Sequence, residues 1–256
     1  MTEVMIQQLK RLRLGYMSQN FEAQNAESIR EKHSFLDFLS ALIEGELQSR
    51  ENKNFQKRIK AARFPLEKTL EEFDFDFQPG LDVKLIKTLA NCQYIEKKEN
   101  ILLVGQCGTG KSHLAVSLGM KALEAGYKVR FITIPDLAAL LRAAMADQSV
   151  EAKTRELIEP DLLILDEFGF TPLDRILADA FYRIIASRYE RSSTIVTSNK
   201  SFESWAEDFP DPVIAVAVID RLIHHAHVVP IVGDSYRMKD QKKRQKKSRK
   251  PKKDSN

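Results

Sequence analysis

Cysteine is nearly absent from this chain, whose 256 residues carry only Cys92 and Cys107. Neither lies in a CxxC or Cys/His cluster, which excludes a disulfide framework and a cysteine-based metal site and fits a reducing cytoplasm. Long apolar runs are missing as well. The longest falls far short of the roughly 20 residues of a membrane-spanning helix, and Met1-Thr2-Glu3-Val4 lacks the basic-then-apolar layout of a signal peptide. The expectation is a cytoplasmic protein without membrane contact. Glycine is scarce at the front, where Gly15 and Gly45 stand alone before position 64. That favours uninterrupted helices there.

Charge is present but uneven. The net value is +4, yet Lys239 to Asp254 alone holds ten Lys/Arg against two Asp, so the remainder is net negative. This tail reads either as a solvated disordered segment or as an electrostatic arm for nucleic acid. No aromatic residue interleaves with its charges, which argues against base stacking by the tail.

A hydrophobic content of 43% allows one full core with a smaller appendage. Residues 1–63 read as helical, and Phe35, Leu36, Phe38, Leu39, Leu42, Ile43 and Leu47 recur at helical spacing, which predicts a small helical bundle. Phe64-Pro65-Leu66 breaks that pattern, and Phe73-Asp74-Phe75-Asp76-Phe77-Gln78-Pro79-Gly80 follows as a connector ending in turn residues. The expected layout is a helical domain over 1–63, a linker over 64–80, a main domain over 81–238 and a basic tail over 239–256. Within the main domain, Ile101 to Val104, Val129 to Ile134, Leu162 to Leu165, Thr194 to Thr197 and Val228 to Val232 alternate with helical stretches. Such alternation predicts an α/β fold, a parallel sheet flanked by helices.

The chemistry concentrates after the first of these runs. Gly105-Gln106-Cys107-Gly108-Thr109-Gly110-Lys111-Ser112 fits the GxxxxGK[ST] phosphate loop, between a strand and the helical stretch that starts at His113. Its glycines let the backbone amides turn toward phosphate oxygens at a helix N-terminus. Lys111 is expected at the β and γ phosphates and Ser112 on Mg²⁺. Leu162-Leu163-Ile164-Leu165-Asp166-Glu167 is an apolar strand ending in two acids, a Walker B pattern. Asp166 is expected to orient Mg²⁺ and Glu167 to polarise an attacking water. Asn199, at the end of Thr194-Ile195-Val196-Thr197-Ser198-Asn199, reads either as a cap or as a group holding the lytic water.

These motifs, taken in order, resemble an AAA+ ATPase. The stretches ARFPLEKTLEEFDFDF, LLILDEFGF, IDRLIHHA and GDSYRMK resemble the IstB family of insertion-sequence helper ATPases, itself similar to the DnaC helicase loaders. The resemblance implies an AAA+ P-loop NTPase without a full C-terminal lid, because the chain runs out soon after Arg237. It implies ATP and Mg²⁺ as ligands, Asn199 as sensor 1, Arg221 as arginine finger and Arg237 as sensor 2. It implies assembly with further copies of the chain on double-stranded DNA and service to the transposase of the same element; the alternative is a helicase loader. It also turns the helical stripe Lys53, Lys57 and Lys60, with Arg50, Arg58 and Arg63 nearby, toward DNA contact, although Glu46 and Glu51 dilute its charge. A small-molecule kinase is disfavoured by the Asp166-Glu167 pair, which suits water as acceptor. An intact Glu167 likewise disfavours a non-hydrolysing, nucleotide-gated binder. His224 and His225 carry no assigned chemistry, and Trp205, Phe35, Phe38, Phe73 and Phe75 read as packing residues.

Overall fold

A computed structural model describes residues 2–170, 172–236 and 238. The chain separates into two compact units, Met1–Arg58 and Ile59–Asn256. Arg237 and the basic run from Lys239 onward lie outside the described residues. Among the described residues, no helix is long and apolar enough to cross a membrane.

The first unit is built from α1 (Thr2–Arg11), α2 (Gly15–Arg30) and most of α3 (Phe35–Ala62). Leu14, which precedes α2, offers no side-chain cap. The role falls to buried Glu46 of α3, whose carboxylate accepts from the amides of Tyr16 at 2.8 Å and Met17 at 3.2 Å. Its other oxygen pairs with Arg50 at 2.8 Å. An anion on a helix N-terminus meets both unsatisfied amides and the positive end of the helix dipole. Gly45 is needed beside it, because a Cβ there would stand 2.0 Å from the Tyr16 ring. The predicted bundle is therefore only partly sealed. Leu42 is buried and Phe38 meets Phe21 edge-on, but Phe35, Leu36, Leu39, Ile43 and Leu47 are exposed, Phe35 at 93%. Phe35 is not the packing residue expected: helical periodicity identifies an apolar stripe but not whether anything covers it.

Glu46 gives a first test. Burial pushes its carboxyl up, but Arg50 and the Met17 and Tyr16 amides outweigh that, and its pKa lies below the ordinary value. Its contribution is thus full above the usual glutamate range and is lost as pH falls through the lowered folded value. Glu46→Gln is expected to cost about 1–2 kcal/mol at neutral pH. The variant should also lose part of the acid sensitivity of the helical circular dichroism signal. Trp205, the one tryptophan, lies in the second unit and its fluorescence serves as the control.

The second unit continues with α4 (Val83–Leu89), α5 (Gln93–Glu96), β1 (Asn100–Gly105), α6 (Lys111–Glu124), β2 (Val129–Thr133), α7 (Ile134–Ala146), α8 (Val150–Ile158), β3 (Leu162–Phe168), α9 (Arg175–Arg188), β4 (Ser193–Ser198), α10 (Pro212–Ile223) and β5 (Ala226–Ile231). Helix starts follow local rules. Asp82, Thr133, Asp174 and Asp211 each accept from a first-turn amide, and proline opens α7 and α10 where no amide partner is required.

The five strands form one sheet in the order β2-β3-β4-β1-β5, and every pairing is parallel. Alternation sorts the side chains. Leu102, Ile132, Leu163, Leu165 and Val196 join a core with α7, α9 and α10. On the other face α6 approaches so closely that a Cβ on Gly119 would meet Ile164 at 2.7 Å. With helices on both faces, most strand positions are apolar, and the polar residues among them, such as Asn100, Arg130, Thr194 and Thr197, are buried as well. Because β4 lies between β1 and β3, the carboxyl ends of three strands share one edge. The phosphate loop, the Asp166-Glu167 pair and Asn199 all lie there, at the switch in strand order where α/β folds place ligands.

A buried arginine closes this sheet on the side of the α8–β3 turn. Arg188 donates to the carbonyls of Leu157, Ile158, Pro160, Asp161 and Ser193 and to the Thr194 hydroxyl. Burial lowers its pKa to about 9, which leaves it charged at neutral pH.

Candidate nucleotide site

The loop between β1 and α6 follows its glycines. Gly108 and Gly110 have φ of +82° and +100°, the left-handed region where a side chain is disfavoured. Space excludes side chains too: a Cβ would lie 2.2 Å from Ser235 Oγ at Gly108 and 2.6 Å from the Phe73 ring at Gly110. Thr109 donates back to the Gln106 carbonyl at 2.9 Å and stiffens the turn. Gly110, as N-cap, supplies no side-chain acceptor to α6, and uncapped amides at a helix start are of the kind that can meet an anion. Lys111 Nζ, nearly buried, donates to the carbonyls of Gly105 at 2.6 Å and Gln106 at 2.7 Å. Gln106 and Cys107 are exposed on the rim.

Three polar groups meet beside this loop. Ser112 Oγ donates to Asp166 Oδ1 at 2.9 Å, and the Thr197 hydroxyl donates to the same oxygen. Thr197 Oγ1 in turn accepts the amide of Glu167 at 3.0 Å. That last bond stands where a strand-to-strand bond would otherwise fall, and the β3–β4 register shifts between Leu165 and Phe168. Glu167 adopts φ of +64°, rare for a side chain other than glycine, asparagine or aspartate. The bulge carries its carboxylate into the cleft. Such a bulge redirects a side chain at a strand end. Thr197 holds both acids at once, a role hidden in a sequence where it is one more β-branched strand residue.

The cleft has a volume of about 530 Å³ and is lined by loop residues Cys107 to His113, by Glu167 and Thr197, and by aromatic groups of the connector. Phe73 packs edge-on to His113 at 5.2 Å. His113 Nε2 meets the Thr69 carbonyl at 2.8 Å, which requires that nitrogen to carry the proton. Tyr236 donates its amide to the Gly108 carbonyl at 2.9 Å and meets Phe77 edge-on at 5.3 Å. Gln78 donates to the Asp234 carbonyl at 3.0 Å. Thus Phe73 and Phe77, within residues 64–80, line the cleft together with Tyr236, and only the phenylalanine content of FDFDF hinted at this.

Chemically, the loop amides and Lys111 can hold phosphate oxygens, and Ser112 and Asp166 offer hard oxygen donors to a divalent cation. Asn199 follows β4 with its Oδ1 buried and without a hydrogen-bond partner. Arg221 is not among the residues lining the cleft. It lies on α10, where its guanidinium covers the rings of Tyr182 at 5.6 Å and Tyr189 at 6.0 Å and donates to the Ala217 carbonyl at 2.6 Å. Trp205 is fully buried against Phe168, and Phe75 stacks edge-on against Phe73.

The chain is similar to known proteins. The chain is 40% identical over 235 residues to a protein of insertion sequence IS21 from Pseudomonas aeruginosa, covering 92% of this chain and 89% of the relative. It is 39% identical over 239 residues to a protein of insertion sequence IS5376 from Geobacillus stearothermophilus, covering 93% and 95%. Both relatives are named for ATP binding. Among solved structures, DnaI superposes with a TM-score of 0.57 at 20% identity, covering 68% of this chain and 93% of that one. AMPPCP-bound DnaA from Aquifex aeolicus gives 0.56 at 23%, covering 72% and 56%. At such identities the likeness is one of fold, and the fold is the AAA+ P-loop fold. The sequence pattern of the IstB-like ATP binding proteins matches residues 7–244, and the chain belongs to that family.

Proposed function

We propose that this protein is an ATPase that binds ATP and Mg²⁺ in the cleft, assembles with further copies of itself on double-stranded DNA, and assists the transposase of its insertion sequence. The observation that carries the reading is that Lys111, Ser112, Glu167 and Thr197 line one cleft while buried Asp166 accepts hydrogen bonds from Ser112 and Thr197.

In this reading Lys111 exchanges its two carbonyl acceptors for oxygens of the β and γ phosphates, and the amides of residues 108–112 surround the same groups. Ser112 and Asp166 would hold Mg²⁺, which when bound neutralises charge on the phosphates. Glu167 takes a proton from water as the water oxygen bonds to the γ phosphorus and the bond to the β–γ bridging oxygen breaks, giving ADP and phosphate. Thr197 holds the Asp166 carboxylate and the backbone amide of Glu167, and Asn199 presents its amide beside the water. Phe73, Phe77 and Tyr236 exclude solvent from the nucleotide. Arg221, on α10 with its guanidinium over the Tyr182 and Tyr189 rings, serves the site of a neighbouring copy. Arg237 keeps the sensor role proposed from the resemblance. The basic tail and the exposed Lys53, Lys57 and Lys60 meet DNA phosphates; Arg50 is instead engaged with Glu46. The insertion-sequence relatives support the transposase as partner over a ring helicase.

The test is turnover with and without duplex DNA, using wild type, Lys111→Ala, Arg221→Ala and a mixture of the two variants. Each variant alone should be inactive. Mixing pairs an intact site with an intact finger and should restore part of the DNA-stimulated rate, rising with protein concentration. Wild type that hydrolyses no ATP on DNA would end the enzymatic reading. Mixed oligomers that form but stay inactive would remove Arg221 from a neighbour's site.

A further inference from the structure

We propose that Glu190, His224 and His225 form a binding site for a divalent transition metal of the zinc class, apart from the nucleotide cleft and independent of the ATPase reading. Glu190 stands in the turn between α9 and β4; the histidines follow α10. One ligand atom from each lies within 4.8 Å of the others. His225 Nε2 and Glu190 Oε1 are 3.4 Å apart, matching the edge of about 3.4 Å that a tetrahedral zinc site with bonds near 2.0–2.1 Å requires.

An exposed glutamate–histidine pair alone would be an ordinary surface contact contributing little. Here a third ligand and its support are already in place. The Tyr189 hydroxyl meets His224 Nδ1 at 2.6 Å. With the proton on Nδ1, the tyrosine oxygen accepts it, and this contact orients the ring and leaves the Nε2 lone pair for a metal, as an outer partner does for a ligating histidine. The backbone beneath is fixed as well. Buried Asn100 donates its amide to the His225 carbonyl at 2.7 Å, its side chain donates to the Leu222 carbonyl at 3.1 Å, and its Oδ1 accepts from Thr194 at 2.9 Å. Asn100 therefore clamps both segments that carry the ligands. Glu190 has φ of +57°, a conformation where glycine is common, yet a carboxylate stands there. The negative end of α10 further favours a cation at this place.

Two imidazoles and a carboxylate suit Zn²⁺, Co²⁺ or Ni²⁺ with water completing the shell, whereas Mg²⁺ prefers oxygen ligands alone. Site and cleft therefore select different ions. A metal here would join the α9–β4 turn to the end of the helix that bears Arg221.

Titration of the untagged full-length protein with Co²⁺ in excess Mg²⁺ tests this. The expected result is one Co²⁺ per chain, with visible absorption bands of a low-coordinate site that Zn²⁺ abolishes. Glu190→Gln, His224→Gln and His225→Gln should each weaken binding by about 10- to 100-fold or more, and Tyr189→Phe by about tenfold. His227→Gln removes a histidine already paired with Glu99 at 2.8 Å and should bind like wild type. Glu190, His224 and His225 are exposed, so their variants should melt as wild type does without metal. Absent stoichiometric binding, or equal binding by wild type and the three ligand variants, would overturn the site, as would a loss in His227→Gln as large as theirs.

Discussion

Lys111→Ala is expected to weaken ATP binding by on the order of 100-fold, measured with a fluorescent ATP analogue. Each charge-assisted hydrogen bond to phosphate contributes about 1.5–3 kcal/mol, and 1.4 kcal/mol is a factor of ten. Lys111 is nearly buried, and its ammonium already lies between the Gly105 and Gln106 carbonyls at the base of the loop. The cation therefore moves little to reach a bound phosphate. Lys111→Arg is the informative companion. It keeps the charge, but its planar fork does not fit a space built around a point cation, so most of the loss should persist. Near-normal binding by Lys111→Ala would show that the loop does not grip phosphates.

Arg188→Leu is expected to cost about 3–5 kcal/mol, because the partners of a buried charge are left unsatisfied. Five carbonyls and a hydroxyl converge on this side chain, and leucine satisfies none of them. For a unit of this size the melting temperature should fall by about 10 °C. Trp205, fully buried in the same unit, reports the transition by fluorescence. Arg188→Lys should fall between the two, since an ammonium has three donors against the five of a guanidinium. A leucine variant within about 1 kcal/mol of wild type would mean that the carbonyls find water once the arginine is gone.

The sheet was legible because five apolar runs alternate with helical spacing, and the strands cover those runs with shifts of one to three residues at their ends. The last run began at Val228, whereas β5 starts at Ala226 and ends at Ile231. Backbone pairing with β1 sets those limits, and hydropathy does not record it. The phosphate loop and the Asp166-Glu167 pair were legible because spacing constrains phosphate chemistry tightly. Contacts between distant segments were not. Thr197 joins both acids across β3 and β4, yet nothing near it in the chain marks it. Arg188 is one arginine among many until five carbonyls from two turns surround it. Of the rings under Arg221, Tyr182 belongs to α9 and Tyr189 directly follows that helix. In the first unit, Leu36, Leu39, Ile43 and Leu47 have the spacing of a buried stripe but stay exposed, because periodicity describes one helix and burial requires a partner. Arg237 and the tail rest on resemblance and charge and lie outside the described residues.

The central claim is that Glu167, carried into the cleft by the bulge at the end of β3, acts as base toward water attacking ATP. Glu167→Gln keeps the shape and the amide bond to Thr197 but cannot accept the proton. The decisive measurement is single-turnover hydrolysis of radiolabelled ATP on duplex DNA, with ATP affinity determined in parallel. The account predicts affinity close to wild type and a chemical step slower by about 100-fold or more. Hydrolysis by Glu167→Gln at the wild-type rate would contradict it.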